Sequence, residues 1–215
     1  MDIEILKNML PILLKGSIMT IELTVISVVL GSILGIVVAT LKLSKNRGIV
    51  AIVSFYTWLF RGTPMLLQLF FFYYGLPFMG VELSPMGAAI LGLSLNSGAY
   101  MAEIIRGGIL SIDKGQFEAC KALGFTHIQT LKRVILPQTF RVIIPSLGNE
   151  FITMLKDTSL VSGIAMEELM RHAQLQISST ARPVEAFFIA GCLYLLMTTV
   201  FTTIFSLTEK KLSVY

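Results

Sequence analysis

The sequence predicts an all-α integral membrane protein that forms one domain, residues 1–215, with five transmembrane helices. Its composition is 54% hydrophobic and 14% charged, with a mean hydropathy of +0.79, whereas soluble domains average about 25% charged residues. The apolar residues are grouped in runs long enough to cross a bilayer, which takes about 20 residues in a helix. Lysine and arginine are concentrated in alternate connections between those runs. The net charge of +4 is spread between apolar runs, so we expect no nucleic-acid partner.

The five predicted helices follow the apolar runs in chain order. They cover approximately residues 17–41, 49–74, 86–105, 140–157 and 186–207. The first run is too long for a signal-peptide core, so we expect it to be retained. It also contains Gly31 and Gly35, a G-x-x-x-G spacing that favours close helix packing. The fourth run is short, and tilt or flanking residues would complete its span.

The distribution of basic residues predicts the orientation. Eleven of the 17 Lys and Arg residues lie after the first helix, between the third and fourth, and in the C-terminal tail. By the positive-inside rule those segments are cytoplasmic. The N-terminus is then outside and the C-terminus inside, in agreement with an odd number of spans.

The long cytoplasmic connection, residues 111–138, is predicted to form two short helices. Asp113 with Gln116, and Thr126 with Gln129, have the spacing of a capping box. Gly124 suits the left-handed residue that ends a helix, and Pro137 would stop or kink the second one. A DNA-binding helix-turn-helix shares this outline, but two membrane spans flank it closely. A solvated linker and a docking surface remain as alternatives.

Four segments resemble the permease subunits of bacterial ABC importers, in the branch for polar amino acids. Glu118, Ala119, Cys120 and Gly124, followed by "VILP" at 134–137, are similar to the EAA motif, with Cys120 in place of the usual small residue. The segments "FRGTP" (60–64), "LNSGAYMAEIIRGG" (95–108) and "LGNEFITMLKDTSLVS" (147–162) complete the resemblance in order. It covers nearly the whole chain.

The resemblance implies a type I ABC-importer permease fold in a bacterial cytoplasmic (inner) membrane. The EAA loop would be a coupling helix that inserts into a separate ATPase subunit, present in two copies, which binds ATP and Mg. A second permease subunit, identical or a sister, and an extracellular or periplasmic amino-acid-binding protein would complete the complex. The chain has no G-x-x-x-x-G-K-[ST] phosphate loop, so we expect it to be non-catalytic and without a cofactor. The residues expected to contact the ATPase are Phe117, Glu118, Ala119, Leu123, Gly124 and Phe125.

Polar side chains inside the predicted spans indicate the translocation path, because such groups are costly in a bilayer. Pro64 and Gly62 weaken the second helix, and the backbone groups this frees would line a polar cavity. Arg61, Thr63 and Ser97 would hold a substrate carboxylate, and Asn96, Glu150 and Asp157 an amino or cationic group. Alternatively Arg61, Glu103, Lys156 and Asp157 pair with one another and only fix helix packing. The full predicted set is Arg61, Thr63, Asn96, Ser97, Tyr100, Glu150, Thr153 and Asp157.

Acidic groups along the path favour basic amino acids such as arginine, lysine or histidine, with glutamine left open. The polar segment 158–184 is expected to lie on the outer face, where it would gate the path or meet the binding protein through Glu167, Glu168, Arg171 and His172. A plain solvated face is the alternative. No Cys/His ligand spacing appears, so neither a metal site nor a membrane-embedded enzyme is expected. An ATP-independent channel is the remaining alternative, although it would leave the capped loop unexplained.

Overall fold

The computed structural model describes residues 3–212, and every regular element in that range is helical. Short π or 3₁₀ segments extend several of the helices, at Phe71–Gly75, Leu76–Met79, Leu131–Ile135 and Thr158–Ile164. The helices are α1 (Ile3–Lys42), α2 (Arg47–Gly62), α3 (Met65–Phe70), α4 (Pro85–Leu110), α5 (Lys114–Ala122), α6 (His127–Thr130), α7 (Leu136–Asp157), α8 (Leu169–Thr180) and α9 (Pro183–Leu212).

Helix α1 is longer than predicted and begins before the apolar run that starts at residue 17. It has 40 residues, which is ~60 Å of α-helix. The early turns belong to the core because Met9 and Leu13 are almost fully buried in a cluster with Leu169 of α8 and Ala186 of α9. Hydropathy missed this start because exposed Lys7 and Lys15 lie between the buried positions.

Glycines bring α1 into close contact with α4, in agreement with the predicted G-x-x-x-G packing. A Cβ atom placed on Gly31 would lie 2.7 Å from the Ser97 Cβ, and one on Gly35 would lie 2.5 Å from the Met101 Cβ. Both distances are far below van der Waals contact. The two backbones therefore approach to a distance that only glycine allows.

We expect Gly35→Val to separate α1 from α4 and to lower the melting temperature of the purified protein. Overpacking a closely packed contact costs about 1–3 kcal/mol, which is a fall of several degrees. Gly191→Val is the matched control, because a Cβ there meets nothing within 4 Å. Thermal unfolding in detergent checks this, and equal melting temperatures for the two variants would contradict it.

The second predicted helix is broken rather than continuous. Instead of running over 49–74, α2 ends at Gly62 and the chain turns by 106° into the following helical segment, 65–79. Thr63 and Pro64, called the elbow below, both have extended backbone angles. Proline has no N–H to continue the ladder and its ring clashes with the preceding turn, so the helix must stop here.

The remaining helices lie near their predicted positions with longer ends. Helix α4 (85–110) begins one residue before the predicted 86 and extends past 105, and α9 (183–212) extends past both ends of 186–207. Helix α7 begins at Leu136 rather than 140, directly after a π segment. Within residues 3–212, three helices are long and apolar enough to cross a membrane, and the bent pair α2–α3 would make a fourth. Helix α7 is not among them, so the five-span count stays a prediction.

The segment predicted to lie on the outer face is tied to the bundle by Glu168. Its carboxylate accepts from the N–H groups of Met170 and Arg171 at 2.8 Å each, and so caps α8. It also accepts from the Tyr194 hydroxyl of α9 at 2.9 Å and the Thr20 hydroxyl of α1 at 3.4 Å. Burial raises the pKa of this carboxyl, and the four donors oppose the rise. Glu168 is 0% exposed, so its predicted contact with a binding protein is wrong, since the carboxylate is used internally.

Candidate functional site

A polar cavity of about 360 Å³ lies where the elbow meets α4 and α7. Six of the eight predicted path residues are on its wall. The wall consists of Thr63, Pro64, Met65, Asn96, Tyr100, Glu150, Thr153 and Asp157. Residues that are far apart in sequence thus converge on one space large enough for a small molecule.

Helical spacing explains how α4 and α7 contribute to this wall. Asn96 and Tyr100 are four residues apart and share a face of α4. Glu150, Thr153 and Asp157 lie at i, i+3 and i+7 and share a face of α7. Side chains at these spacings stack along one side of a helix. The packing of α4 against α7 turns the two faces toward each other.

The cavity wall has two acidic side chains. Glu150 is 8% exposed and Asp157 is half-buried, and no basic residue is on the wall. The ion pairs found between residues 3 and 212 involve neither of these carboxylates. A buried carboxylate without a cationic partner is costly. A cationic ligand would remove that cost.

Two predicted path residues lie off the wall. The Arg61 guanidinium stacks over the Tyr100 ring, 5.2 Å from its centroid. Tyr100 is on the cavity wall, so Arg61 contacts a wall residue without lining the cavity itself. Ser97 is fully buried in the α1–α4 contact against Gly31. The structure therefore places Arg61 beside the cavity and Ser97 in helix packing.

Glu103 belongs to a separate cluster at the far end of α4. It pairs with Lys42 of α1 and accepts from Arg106 Nη2 at 2.8 Å. Lys42 Nζ also donates to the Thr57 hydroxyl of α2 at 2.6 Å. The alternative had Glu103 pair within the set of Arg61, Lys156 and Asp157, whereas it pairs with Lys42 and Arg106 and so links α1 to α4. Arg61, Lys156 and Asp157 form no ion pair within the described range.

Gln68 is an interior polar residue that the sequence reasoning missed. It lies on α3, is 8% exposed, and hydrogen-bonds both to the elbow and to Asn96. The available signal was a glutamine inside an apolar run, four residues after Pro64. Intramembrane polar groups of this kind usually have a defined partner.

The connection 111–138 folds as the capping signals predicted at its second helix and differently at the start of its first. Thr126 and Gln129 form a reciprocal capping box at the start of α6. Gly124 has φ +76, the left-handed conformation expected at the end of α5. At the first helix, Asp113 caps by accepting from the Gly115 N–H at 2.6 Å. Gln116 contributes instead through its side chain, which accepts from Gln138 at 3.3 Å.

The loop presents apolar side chains to its surroundings. Leu123 is 75% exposed and Ile128, which was not predicted, is 65% exposed. Phe117 and Phe125 are half-buried. Single exposed apolar groups are ordinary, but two exposed and two half-buried ones in one short loop between helices are typical of a contact surface. Glu118, Ala119 and Gly124 are also exposed on this loop.

Cys120 is the buried side chain of α5. It is 4% exposed, and its carbonyl accepts from the Phe125 N–H at 3.0 Å across the turn. Its position is the third of the E-A-A-like triplet. A small side chain is needed here because the position is buried.

Comparison with protein families identifies a match over residues 31–214 to the model described as "Binding-protein-dependent transport system inner membrane component". The arginine transport system permease protein ArtQ of Bacillus subtilis is 42% identical over 204 residues, covering 94% of this chain and 93% of the relative. The L-cystine transport system permease protein TcyB of Bacillus subtilis is 50% identical over 164 residues, covering 76% and 70%.

Among solved structures, the fold matches a chain in the crystal structure of an amino acid ABC transporter with histidines. The TM-score is 0.94 at 39% identity, and the match covers 98% of this chain and 99% of that chain. The overall helical arrangement described above is therefore that of a known fold.

Proposed function

The chain belongs to the family of binding-protein-dependent transport system inner membrane components, and we propose that it is the permease subunit of an ABC importer for basic amino acids. The family and its amino-acid ABC importer relatives define the general class. The finer part of the proposal is that the transported amino acids have positively charged side chains.

The observation that carries this finer part is the acidic cavity. Glu150 and Asp157 line it without a basic residue on the same wall. An arginine, lysine or histidine side chain would be attracted to these carboxylates, and burial makes charge pairs stronger than they are in water. The substrate carboxylate would be attracted to the positive charge of Arg61, and Thr63 and Asn96 would be its uncharged hydrogen-bond partners. Glutamine, whose only cationic group is its α-ammonium group, would leave one carboxylate unpaired.

In this proposal the chain crosses a bacterial cytoplasmic membrane five times, with the N-terminus outside. Helix α7 is the fourth span in chain order, and its polar face is turned toward the path rather than toward lipid. The segment 158–184 lies on the outer face. It meets the amino-acid-binding protein through its exposed side chains, such as Glu167.

The loop that contains α5 and α6 is proposed to dock on a separate ATPase. Two ATPase copies bind ATP and Mg, and their closure moves the loops of two permease subunits. Leu123, Phe117 and Phe125 would supply the apolar contacts, and Glu118 and Gly124 would shape the docking surface. No nucleotide chemistry is assigned to this chain itself.

Reconstitution with its partner ATPase, together with its binding protein, tests the proposal. We expect a complex with two permease and two ATPase subunits. Its ATP hydrolysis should rise with arginine, lysine or histidine and less with glutamine or cystine. Stimulation by glutamine or cystine alone would leave the importer assignment intact and overturn the assignment to basic amino acids.

A further inference from the structure

The elbow leaves main-chain carbonyl groups without their helical partners. In a continuous helix the Phe60 carbonyl would accept from the N–H of residue 64, but residue 64 is proline and has no N–H. The Leu59 carbonyl would accept from the Thr63 N–H, but Thr63 has left the helical conformation. The Thr63 hydroxyl donates to the Leu59 carbonyl instead, at 2.8 Å. The Phe60 carbonyl needs another donor.

The Gln68 side chain supplies that donor. Its Nε2 donates to the Phe60 carbonyl at 2.8 Å, to the Thr63 carbonyl at 3.1 Å and to the Thr63 hydroxyl at 2.9 Å. Three acceptors thus share the two hydrogens of one amide. One side chain therefore closes the gap that the proline opens.

The same side chain also orients Asn96 on α4. Asn96 Nδ2 donates to Gln68 Oε1 at 3.0 Å and to the Phe60 carbonyl at 3.0 Å. Both polar atoms of the Gln68 amide are therefore engaged, one with the elbow and one with α4. This fixes the amide orientation of Asn96, because its Nδ2 has an acceptor for each of its two hydrogens.

Gln68 is not on the wall of the polar cavity, but the residues it holds are. Thr63 and Asn96 line that cavity. Gln68 itself lines a separate apolar cavity of about 410 Å³, mostly with Leu59, Leu67, Phe71 and Phe72. Thr63 lines both cavities, so Gln68 contacts the polar cavity's wall without being part of it.

We propose that Gln68 is a positioning residue for the transported amino acid: it replaces the hydrogen bond lost at Pro64 and thereby sets the places of Thr63 and Asn96 on the cavity wall. The inference rests on the proposed function, since it assumes that the cavity holds the substrate. Groups held by a defined hydrogen-bond network bind better than mobile ones because less order must be created on binding.

The test uses the purified complex of this chain with its ATPase in proteoliposomes, supplied with its binding protein. Gln68→Met keeps the length of the side chain and removes every donor and acceptor of the amide. We expect the half-saturation concentration for arginine to rise about tenfold, equivalent to about 1.4 kcal/mol. The yield of complex and the maximal uptake rate should stay near wild type. Gln174→Met on α8 is the matched control and should change neither.

A double-mutant cycle separates positioning from simple packing. If Gln68 acts through Asn96, then Gln68→Met combined with Asn96→Ala should raise the half-saturation concentration no more than the larger single change does. Additive effects would overturn the proposal. An unchanged half-saturation concentration, with only the yield or maximal rate reduced, would overturn it as well and indicate a purely structural role.

A wild-type complex that carries no arginine would count against the proposed function and not against the amide network. The melting temperatures of the wild-type chain, the variants Gln68→Met and Asn96→Ala, and the double variant then decide whether the network exists, because that measurement needs no substrate. Non-additive changes in melting temperature would support the coupling of Gln68 to Asn96. Additive changes would overturn it.

Discussion

Replacing Gly124 with valine is expected to abolish most ATP-driven uptake while the protein still inserts and folds. Gly124 has φ +76, and a Cβ at this position would meet nothing within 4 Å, so the cost comes from the backbone alone. An L-residue in the left-handed region costs about 1–2 kcal/mol, and more when it is β-branched. The turn between α5 and α6 would relax to another conformation and move Leu123 and Phe125 out of register with the ATPase. A free-energy cost of about 1.4 kcal/mol corresponds to a factor of ten. Uptake should therefore fall tenfold or more.

The matched control is Gly80→Val, at the other positive-φ glycine. Gly80 has φ +82 and is equally open, but it ends the 3₁₀ segment Leu76–Met79 rather than α5. It should lose a similar amount of stability and keep the coupling of ATP hydrolysis to uptake. Glu118→Lys is a second variant that leaves the backbone unchanged and reverses an exposed charge on the docking surface. Normal transport by both Gly124→Val and Glu118→Lys would mean that the loop is only a linker.

Glu150→Gln is expected to weaken transport of basic amino acids selectively. The change conserves the shape of the side chain and removes one of the two carboxylates on the cavity wall. Close charge pairs that are shielded from water contribute about 1.5–7 kcal/mol. The half-saturation concentration for arginine and lysine should therefore rise at least tenfold, which corresponds to about 1.4 kcal/mol. Transport of a neutral amino acid such as glutamine should be weakened less, or glutamine should compete better with arginine.

The measurement is the uptake of labelled arginine, lysine and glutamine at equal amounts of membrane-inserted protein. Glu82→Gln is the control, because Glu82 is exposed in the connection before α4 and lies off the cavity wall. Unchanged arginine uptake by Glu150→Gln, at normal expression in the membrane, would refute the role of this carboxylate.

The polar wall could be predicted from sequence because it depends mainly on helix periodicity. The spacings of Asn96 with Tyr100, and of Glu150 with Thr153 and Asp157, are properties of single helices. Once two such faces exist in a membrane protein, they must turn toward each other or toward water, since lipid cannot satisfy them. Ser97 lies one residue from Asn96 and therefore on another side of α4, where it meets Gly31.

The elbow could be predicted only in part. Gly62 and Pro64 indicate a weak point in the second helix, but the 106° turn depends on what stabilises the freed carbonyls. Gln68 does this together with Asn96, which is 28 positions further along the chain. Such a pairing is set by tertiary packing and leaves no local pattern. The early start of α1 was missed for a related reason, since Met9 and Leu13 are buried by α8 and α9 rather than by their own neighbours.

The loop was predictable because its signals are local. A capping box and a left-handed glycine act within a few residues, and both are present at the expected positions. The partner for the exposed Leu123 and Ile128 has to be sought in another polypeptide, because the loop makes few contacts with the rest of the described chain.

The most direct test of the account is arginine accumulation by proteoliposomes that contain this chain, its ATPase and its binding protein. We predict that arginine is concentrated against its gradient only when ATP is supplied. Accumulation should stop when the ATPase is inactivated or when Gly124→Val replaces the wild-type chain. Equilibration of arginine without ATP, or an ionic current through bilayers that contain this chain alone, would contradict the account and favour a channel.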